Sequence, residues 1–248
     1  MSALGFPRLH LRSTDSTNER ARELAIADAP DGTLVTAAEQ SAGRGRQGRR
    51  WSAPAGSSIL MSLLLRSPPR LLPLMAAVAV CDVAGERALI KWPNDVVVTL
   101  DHAEGGPGLG KLAGILVEAR PQQGWAVLGI GLNVAVRLED LPPELHPDGM
   151  GAGTTTGLPA ATMGLEHADV EPTLALLIAS LERRLGESDG AILEAWRSRD
   201  ALLGREITWS DGHGRADGID GEGRLVVALP GGGHTALGAG EIHLESIG

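Results

Sequence analysis

Cysteine occurs once, phenylalanine once and tyrosine not at all in the 248 residues of this chain. A single cysteine excludes an internal disulfide and any metal site built from several thiolates. Cys81 lies in the apolar run LLPLMAAVAVCDVAGE and reads as a small buried hydrophobe. With so few rings, the core must be aliphatic, and at 43% hydrophobic residues there is enough apolar material to build one. No apolar stretch reaches the roughly 18–20 residues that a membrane span requires. Leu71–Val80 comes nearest and is about half that. The opening, MSALGFPRLHLRS, has no charged start followed by an apolar run, so it does not read as a signal peptide. A soluble, cytoplasmic protein is expected, with no membrane partner. The net charge of −9 argues against a general binder of nucleic acid or of anionic membranes.

Two other residue types are scarce. Twenty of the 22 basic residues are arginine; the lysines are Lys91 and Lys111 alone. Asparagine occurs only at 18, 94 and 133. Lysine is a compact point charge where arginine is a planar fork, and asparagine offers a donor and an acceptor without charge. The five survivors therefore mark positions where arginine or aspartate would not serve.

The pattern along the chain is mixed. Residues 14–28 read as a helix, with Ser16 as N-cap and Glu19 completing a capping box. Thr33–Glu39 and the strongly apolar Ser58–Leu65 read as strands, and Arg70–Gly85 as a well-buried helix. Short strands follow at Leu89–Trp92, Val96–Leu100, Leu112–Glu118 and Trp125–Val136. The Gly-rich piece 101–110 looks like an exposed hairpin loop. Residues 139–170 give no clear pattern, and Glu171–Leu185 and Asp189–Leu203 read as amphipathic helices. From Gly204 onward, short β segments punctuated by glycine point to a small antiparallel barrel, with a boundary at 203/204.

The most unusual segment is GRGRQGRRW, residues 43–51. Its glycines, Gly43 and Gly45 among them, let the backbone approach a ligand closely. Successive N–H groups in such a loop cradle anions. Arg44, Arg46, Arg49 and Arg50 add bidentate grips on carboxylate or phosphate, and Trp51 offers a face for stacking on a base. The segment reads as a clasp for two anions, one a carboxylate and one a phosphate, mobile when empty. It is no Walker loop, since GxxxxGK[ST] is absent.

Three further motifs carry chemistry. In KWPND (91–95), Pro93 ends a strand and leaves Asn94 and Asp95 at its mouth. Asp95 suits Mg²⁺, and Lys91 is placed to meet a phosphate. In KLAGILVE (111–118), Lys111 projects an ammonium into the site while Gly114 leaves room for a ligand. In GIGLNV (129–134), Gly129 and Gly131 clear one face of a strand and Asn133 lies near phosphate or metal.

Taken in order, STN (16–18), EQSAGRGRQGRRW (39–51), KWPND, KLAGILVE and GIGLNV resemble the ligase domain of biotin protein ligases, and the stretch from 204 is similar to that family's small C-terminal domain. The resemblance implies an α+β fold: a mixed sheet flanked by helices, like the catalytic domain of class II tRNA synthetases, followed by a small SH3-like barrel. It also implies a two-step reaction. Biotin and ATP, with Mg²⁺, give biotinyl-5′-AMP and pyrophosphate. A lysine of a biotin carboxyl carrier protein then takes the biotin and releases AMP. Arg46 and Lys111 would be the catalytic cations. Ser16, Thr17, Asn18, Gln40, Gly43, Arg44, Gly45, Arg46, Lys111 and Gly114 would hold biotin. Arg46, Arg49, Arg50, Trp51, Lys91, Asn94 and Asn133 would hold ATP or the adenylate, with Asp95 at the metal.

Only 15 residues precede Ser16, too few for the DNA-binding domain that repressor members carry, so no DNA partner is expected; a homodimer is left open. Two competing readings are a lipoate or octanoate transferase of the same fold, which usually lacks the arginine loop, and a regulator that holds the adenylate without transferring it.

Overall fold

In a computed structural model of the chain, residues 4–100, 108–142, 145, 158–238 and 242–244 are described. Strands β1 (Arg8–Leu11), β2 (Leu34–Ala37), β3 (Ser58–Arg66), β4 (Ala88–Lys91), β5 (Asp95–Leu100), β6 (Gly108–Arg120) and β7 (Trp125–Asn133) form one sheet in the order β1-β2-β3-β7-β6-β5-β4. The β1–β2 pair is parallel and the remaining pairs are antiparallel. Four α-helices are found among the described residues: α1 (Thr17–Ile26), α2 (Leu72–Ala84), α3 (Val170–Leu185) and α4 (Asp189–Arg197). Five further strands, β8 (Glu206–Trp209), β9 (Gly212–Ile219), β10 (Leu225–Ala228), β11 (His234–Leu237) and β12 (His243–Leu244), make a second, antiparallel sheet. The α+β architecture expected from the sequence, with a mixed sheet and a small C-terminal β unit, is the one the chain adopts.

Strand alternation divides the first sheet into two unlike faces. Met61, Leu63 and Leu65 of β3 and Ala126, Leu128, Ile130 and Leu132 of β7 enter the large core with α2 and α3. That core continues into Ile207, Ala216, Ile219, Leu225 and Val227 of the second sheet. Burial on both sides explains the near-continuous apolar sequence of β3. In α2, Cys81 is fully buried and burial pushes its thiol up to about 12, so it is inert packing. On the opposite face, α1 covers Val35, Leu64, Trp125 and Val127 with Ala21 and Ala25. It stops short of β5 and β6, and the uncovered part of this face is the floor of a cavity.

The sequence misjudged three local features. Helix α1 is shorter than 14–28, and Ser16 makes no side-chain cap. The capping box fails because Glu19 is held by Arg22 and Arg44, at 3.1 and 3.0 Å. Residues 108–110 belong to β6, paired with Val98–Leu100, rather than to a loop; residues 101–107 lie outside the described part. Helix α4 ends at Arg197, and the following backbone turns to cover the outer edge of β4: Ile90 N–H donates to Arg199 O (2.7 Å) and Ala201 N–H to Ile90 O (2.9 Å).

Candidate functional site

The cavity has a volume of about 470 Å³, within the range of small-molecule sites. It is lined by Ser16, Thr17, Asn18, Gln40, Arg44, Gly45, Arg46, Arg49, Arg50, Trp51, Asn94, Asp95, Lys111, Gly114 and Asn133, among others. Every residue singled out in the sequence therefore borders it except Gly43 and Lys91. Gly43 is at the neck of the arginine loop, where a Cβ would stand 2.4 Å from Trp51 O, and it borders an open hollow on the loop's other side. Lys91 points elsewhere. It is 9% exposed, and its Nζ donates to Ile242 O (2.9 Å) in the C-terminal part of the chain. Lys91 is paired with Asp95 across the β4–β5 hairpin, but its ammonium is drawn to the Ile242 carbonyl and does not border the cavity where a phosphate contact was expected.

At one end of the cavity the start of α1 is locked to its neighbours. Thr17 N–H and Oγ1–H both donate to Gln40 Oε1, at 2.7 and 3.1 Å. Ser62 Oγ lies 2.8 Å from Thr17 Oγ1 and 2.5 Å from Asn18 Oδ1. Asn18 Nδ2–H donates to Glu118 Oε2 (2.8 Å). Ser62 and Glu118 fix which way the Asn18 amide faces. Neither was singled out from sequence, although Ser62 is a hydroxyl in the middle of an apolar strand.

At the other end a register shift places the key cation. Asp95 pairs with Gly114 and Val96 with Ala113, but Val97 pairs with Lys111, leaving Leu112 as the extra residue of a β-bulge. Strict alternation would send Lys111 and Gly114 to opposite faces; the bulge brings both to the cavity. Lys111 Nζ lies 2.7 Å from Asp95 Oδ1 and 5.7 Å from the centre of the Trp51 ring. Asp95 Oδ1 is buried with no aligned hydrogen bond, so its contact with Lys111 is an ion pair. Asn94 extends the sheet edge around the turn. Its Nδ2–H donates to Ile115 O (3.1 Å), and its own carbonyl accepts from Ile115 N–H (2.9 Å).

The arginine loop folds over the floor as a small hairpin. Gly45 N–H donates to Arg49 O (2.7 Å), and Trp51 N–H to Gly43 O (3.0 Å). Gln47 and Gly48 at its tip have φ of +54° and +75°; the glycine adopts this at no steric cost, whereas few side-chain-bearing residues do. The guanidiniums fan apart: Arg44 pairs with Glu19, and Arg50 Nη2–H donates to Ser41 O (2.6 Å). Arg46 is half-buried. Burial pushes its guanidinium below the usual arginine range and Arg49 adds to this, while Asp95 acts in the opposite sense. Arginine does not give up its proton, so this is a cation whose lost hydration is poorly compensated, suited to an incoming anion.

The glycines of β6 and β7 do leave room, but side chains take it. A Cβ on Gly129 would stand 2.2 Å from Asn18 Oδ1, on Gly131 2.5 Å from Trp51 Cε2, and on Gly114 3.0 Å from Trp51 Cζ3. Trp51 lies flat along the floor with its Nε1 buried and unpartnered. Asn133 is likewise engaged, accepting from Ser58 Oγ–H (3.2 Å) and donating to Ala161 O (2.9 Å). It pins the segment 158–165 that walls the cavity.

The model of the biotin/lipoate A/B protein ligase family matches residues 10–134 of this sequence. Relatives extend the match beyond that span: a biotin–[acetyl-CoA-carboxylase] ligase of Paracoccus denitrificans is 35% identical, over 90% of this chain and 94% of its own length. The chain belongs to the biotin/lipoate A/B protein ligase family. A bifunctional ligase/repressor BirA of Bacillus spizizenii is 32% identical over 86% of this chain, which spans 66% of that relative's length. In fold, the family member is similar to the biotin protein ligase of Aquifex aeolicus in complex with biotin and ATP: TM-score 0.73, 24% identity, 96% of this chain and 98% of that one. The resemblance to biotin protein ligases drawn from the motifs is borne out, and so is the assignment as an enzyme of that group. No helix among the described residues is long and apolar enough to cross a membrane.

Proposed function

We propose that the chain joins biotin to ATP as biotinyl-5′-AMP and transfers the biotinyl group to a lysine of a biotin carboxyl carrier protein in the cytoplasm. The observation that carries this reading is the pair of cations, Arg46 and Lys111, over one small cavity whose polar end is the Ser16–Thr17–Asn18–Gln40 group. In the first step a biotin carboxylate oxygen attacks the α-phosphorus and pyrophosphate leaves. The reactants are both anions, and two unit charges 4 Å apart at a partly buried site repel by roughly 4 kcal/mol. Arg46 and Lys111 offset that repulsion and stabilise the charge that builds on the phosphorus oxygens. In the second step the carrier amine attacks the acyl carbon, the bond to the phosphate oxygen breaks, and AMP leaves with the electron pair. No enzyme side chain is acylated on this route.

Mg²⁺ fits in a limited way. Among the described residues there is no cluster of three or more His, Cys, Asp or Glu able to hold a metal. Mg²⁺ is commonly held by one or two carboxylates together with substrate phosphates, and Asp95 supplies one such carboxylate, whose buried Oδ1 is ion-paired with Lys111. An ion held there would neutralise phosphate charge.

The division at 203/204 into a catalytic unit and a small β unit is part of this reading. It is supported by the cavity lining, which draws on no described residue beyond Ala160.

The test is incubation with ATP, Mg²⁺, labelled biotin and a carrier domain. Label on the carrier, with AMP and pyrophosphate released, is the expected result. Tight retention of the adenylate without transfer would replace the reading with a binding regulator. Transfer of lipoate or octanoate in preference to biotin would replace it with the other branch of the family.

A further inference from the structure

The C-terminal sheet contributes no described residue to the cavity, yet it is fastened to the motif that carries Asp95. Trp92 is 2% exposed and its Nε1–H donates to Gly223 O (3.1 Å). Lys91, next to it, caps Ile242 O, just before β12. Gly223 belongs to the turn between β9 and β10, and that turn is stiff. The Asp220 carboxylate accepts from Glu222 N–H and Arg224 N–H, at 2.9 and 3.0 Å, and from Arg224 Nε–H at 2.7 Å. Gly223 itself has φ of +78°, and a Cβ there would stand 2.9 Å from Leu74 Cδ2 of α2. Trp92 is thus gripped by a turn that is itself wedged against α2.

Beyond Pro93 the same segment runs without a break into the site. Asn94 closes on Ile115 at both its amide and its carbonyl, Asp95 pairs in register with Gly114, and its carboxylate meets Lys111. We propose that Trp92 and Lys91 are positioning residues, through which the C-terminal sheet sets where Asp95 and Lys111 stand. The motif then has two halves: lysine and tryptophan anchor it, while asparagine and aspartate serve the cavity. The sheet acts on adenylate formation without touching substrate. The proposed biotin contacts at Thr17, Asn18 and Gln40 lie at the far end of the cavity and are not in this path; Lys111, expected to meet the biotin carboxylate as well, is.

This inference rests on the proposed reaction, and the experiment separates the two. Adenylate formation by the unaltered chain is measured first by ATP–pyrophosphate exchange; its absence would remove the proposed reaction itself. Given activity, Trp92→Phe deletes one N–H and keeps most of the packing, and Lys91→Met deletes the cap on Ile242. Each should lower kcat for adenylate formation by about fivefold or more, as small misplacements of reacting groups do, with any rise in KM for biotin smaller than that fall. Arg197→Ala is the control. Arg197 Nη2–H donates to Ile219 O (2.9 Å) of the same sheet but has no hydrogen bond or ion pair to residues 91–95 among the described residues. It should lower thermal stability and leave kcat unchanged. A full kcat in W92F and K91M would overturn the inference, as would an equal fall in kcat in R197A. Should W92F not fold, K91M alone decides, since it retains the indole.

Discussion

Asn18 and Gly129 occupy one space between them: a Cβ on the glycine would lie 2.2 Å from the asparagine Oδ1. Two residues along the same strand, Gly131 and Trp51 stand in the same relation at 2.5 Å. Gly129→Ala and Gly131→Ala should therefore strike different ends of the cavity. The first displaces Asn18 and should raise KM for biotin; the second displaces Trp51 and should raise KM for ATP. Each overpacking costs about 1–3 kcal/mol of stability, readable by urea unfolding. Equal effects of both variants on both substrates would contradict this division.

Arg46 is the half-buried cation of the loop. Arg46→Ala removes charge-assisted hydrogen bonds worth about 1.5–3 kcal/mol to a bound anion, so escape of the adenylate should accelerate by one to two orders of magnitude. Stopped-flow release of preformed intermediate measures this. An unchanged rate would mean that the cation serves something other than the intermediate.

Loop 43–51 closes through a few backbone hydrogen bonds and carries four arginines. Trypsin should cut it readily in the substrate-free protein, and biotin with ATP should slow that cutting by about tenfold, as anions order the segment. Identical cleavage with and without substrates would count against a clasp that tightens on its ligands.

Asp82 joins α2 to α3, accepting from Ser180 Oγ–H (2.8 Å) and pairing with Arg183 and Arg184 at 2.7 and 2.8 Å. Burial would raise its carboxyl, but the hydrogen bonds from Arg184 and Ser180 and the two positive charges reverse this, leaving it below the ordinary 3.8. The sign follows. A carboxyl lowered in the folded state contributes its stability in full above the unfolded value and loses it as pH falls through the folded one. Asp82→Asn should cost about 1–2 kcal/mol at pH 7 and less at pH 3, below the unfolded value. Chemical denaturation at both pH values tests this; a constant difference would rule out the ionic origin.

Much of this site was legible because its chemistry is written in rare residues. Lys111, Asn18, Asn94 and Asn133 all border the cavity. The reason for their retention was only half readable. All three asparagines direct their side-chain amides to protein partners: Asn18 to Glu118 and Ser62, Asn94 to the Ile115 carbonyl, Asn133 to Ser58 and Ala161. Sequence showed that Gly114 and Gly131 make room, but the occupant, Trp51, arrives from a loop more than sixty residues away in sequence. The bulge at Leu112 that aims Lys111 leaves no trace in composition, because it exists only in the pairing with β5. Lys91 was misplaced for a related reason: the carbonyl that holds it belongs to Ile242, at the other end of the chain.

The burial of Lys91 has a chemical corollary. On the proposed reaction, the mixed anhydride can acylate any amine it meets, those of the protein that makes it included. Here one of the two lysine amines is shut inside, capping a carbonyl, and the other stands in the cavity opposite Asp95. Apart from the terminal amine, the outside of the molecule offers the escaping reagent no nucleophilic nitrogen of this kind. Intermediate that leaks should mark a lysine-rich bystander far more heavily than this chain, a contrast that intact-mass measurement on a mixture of the two would display.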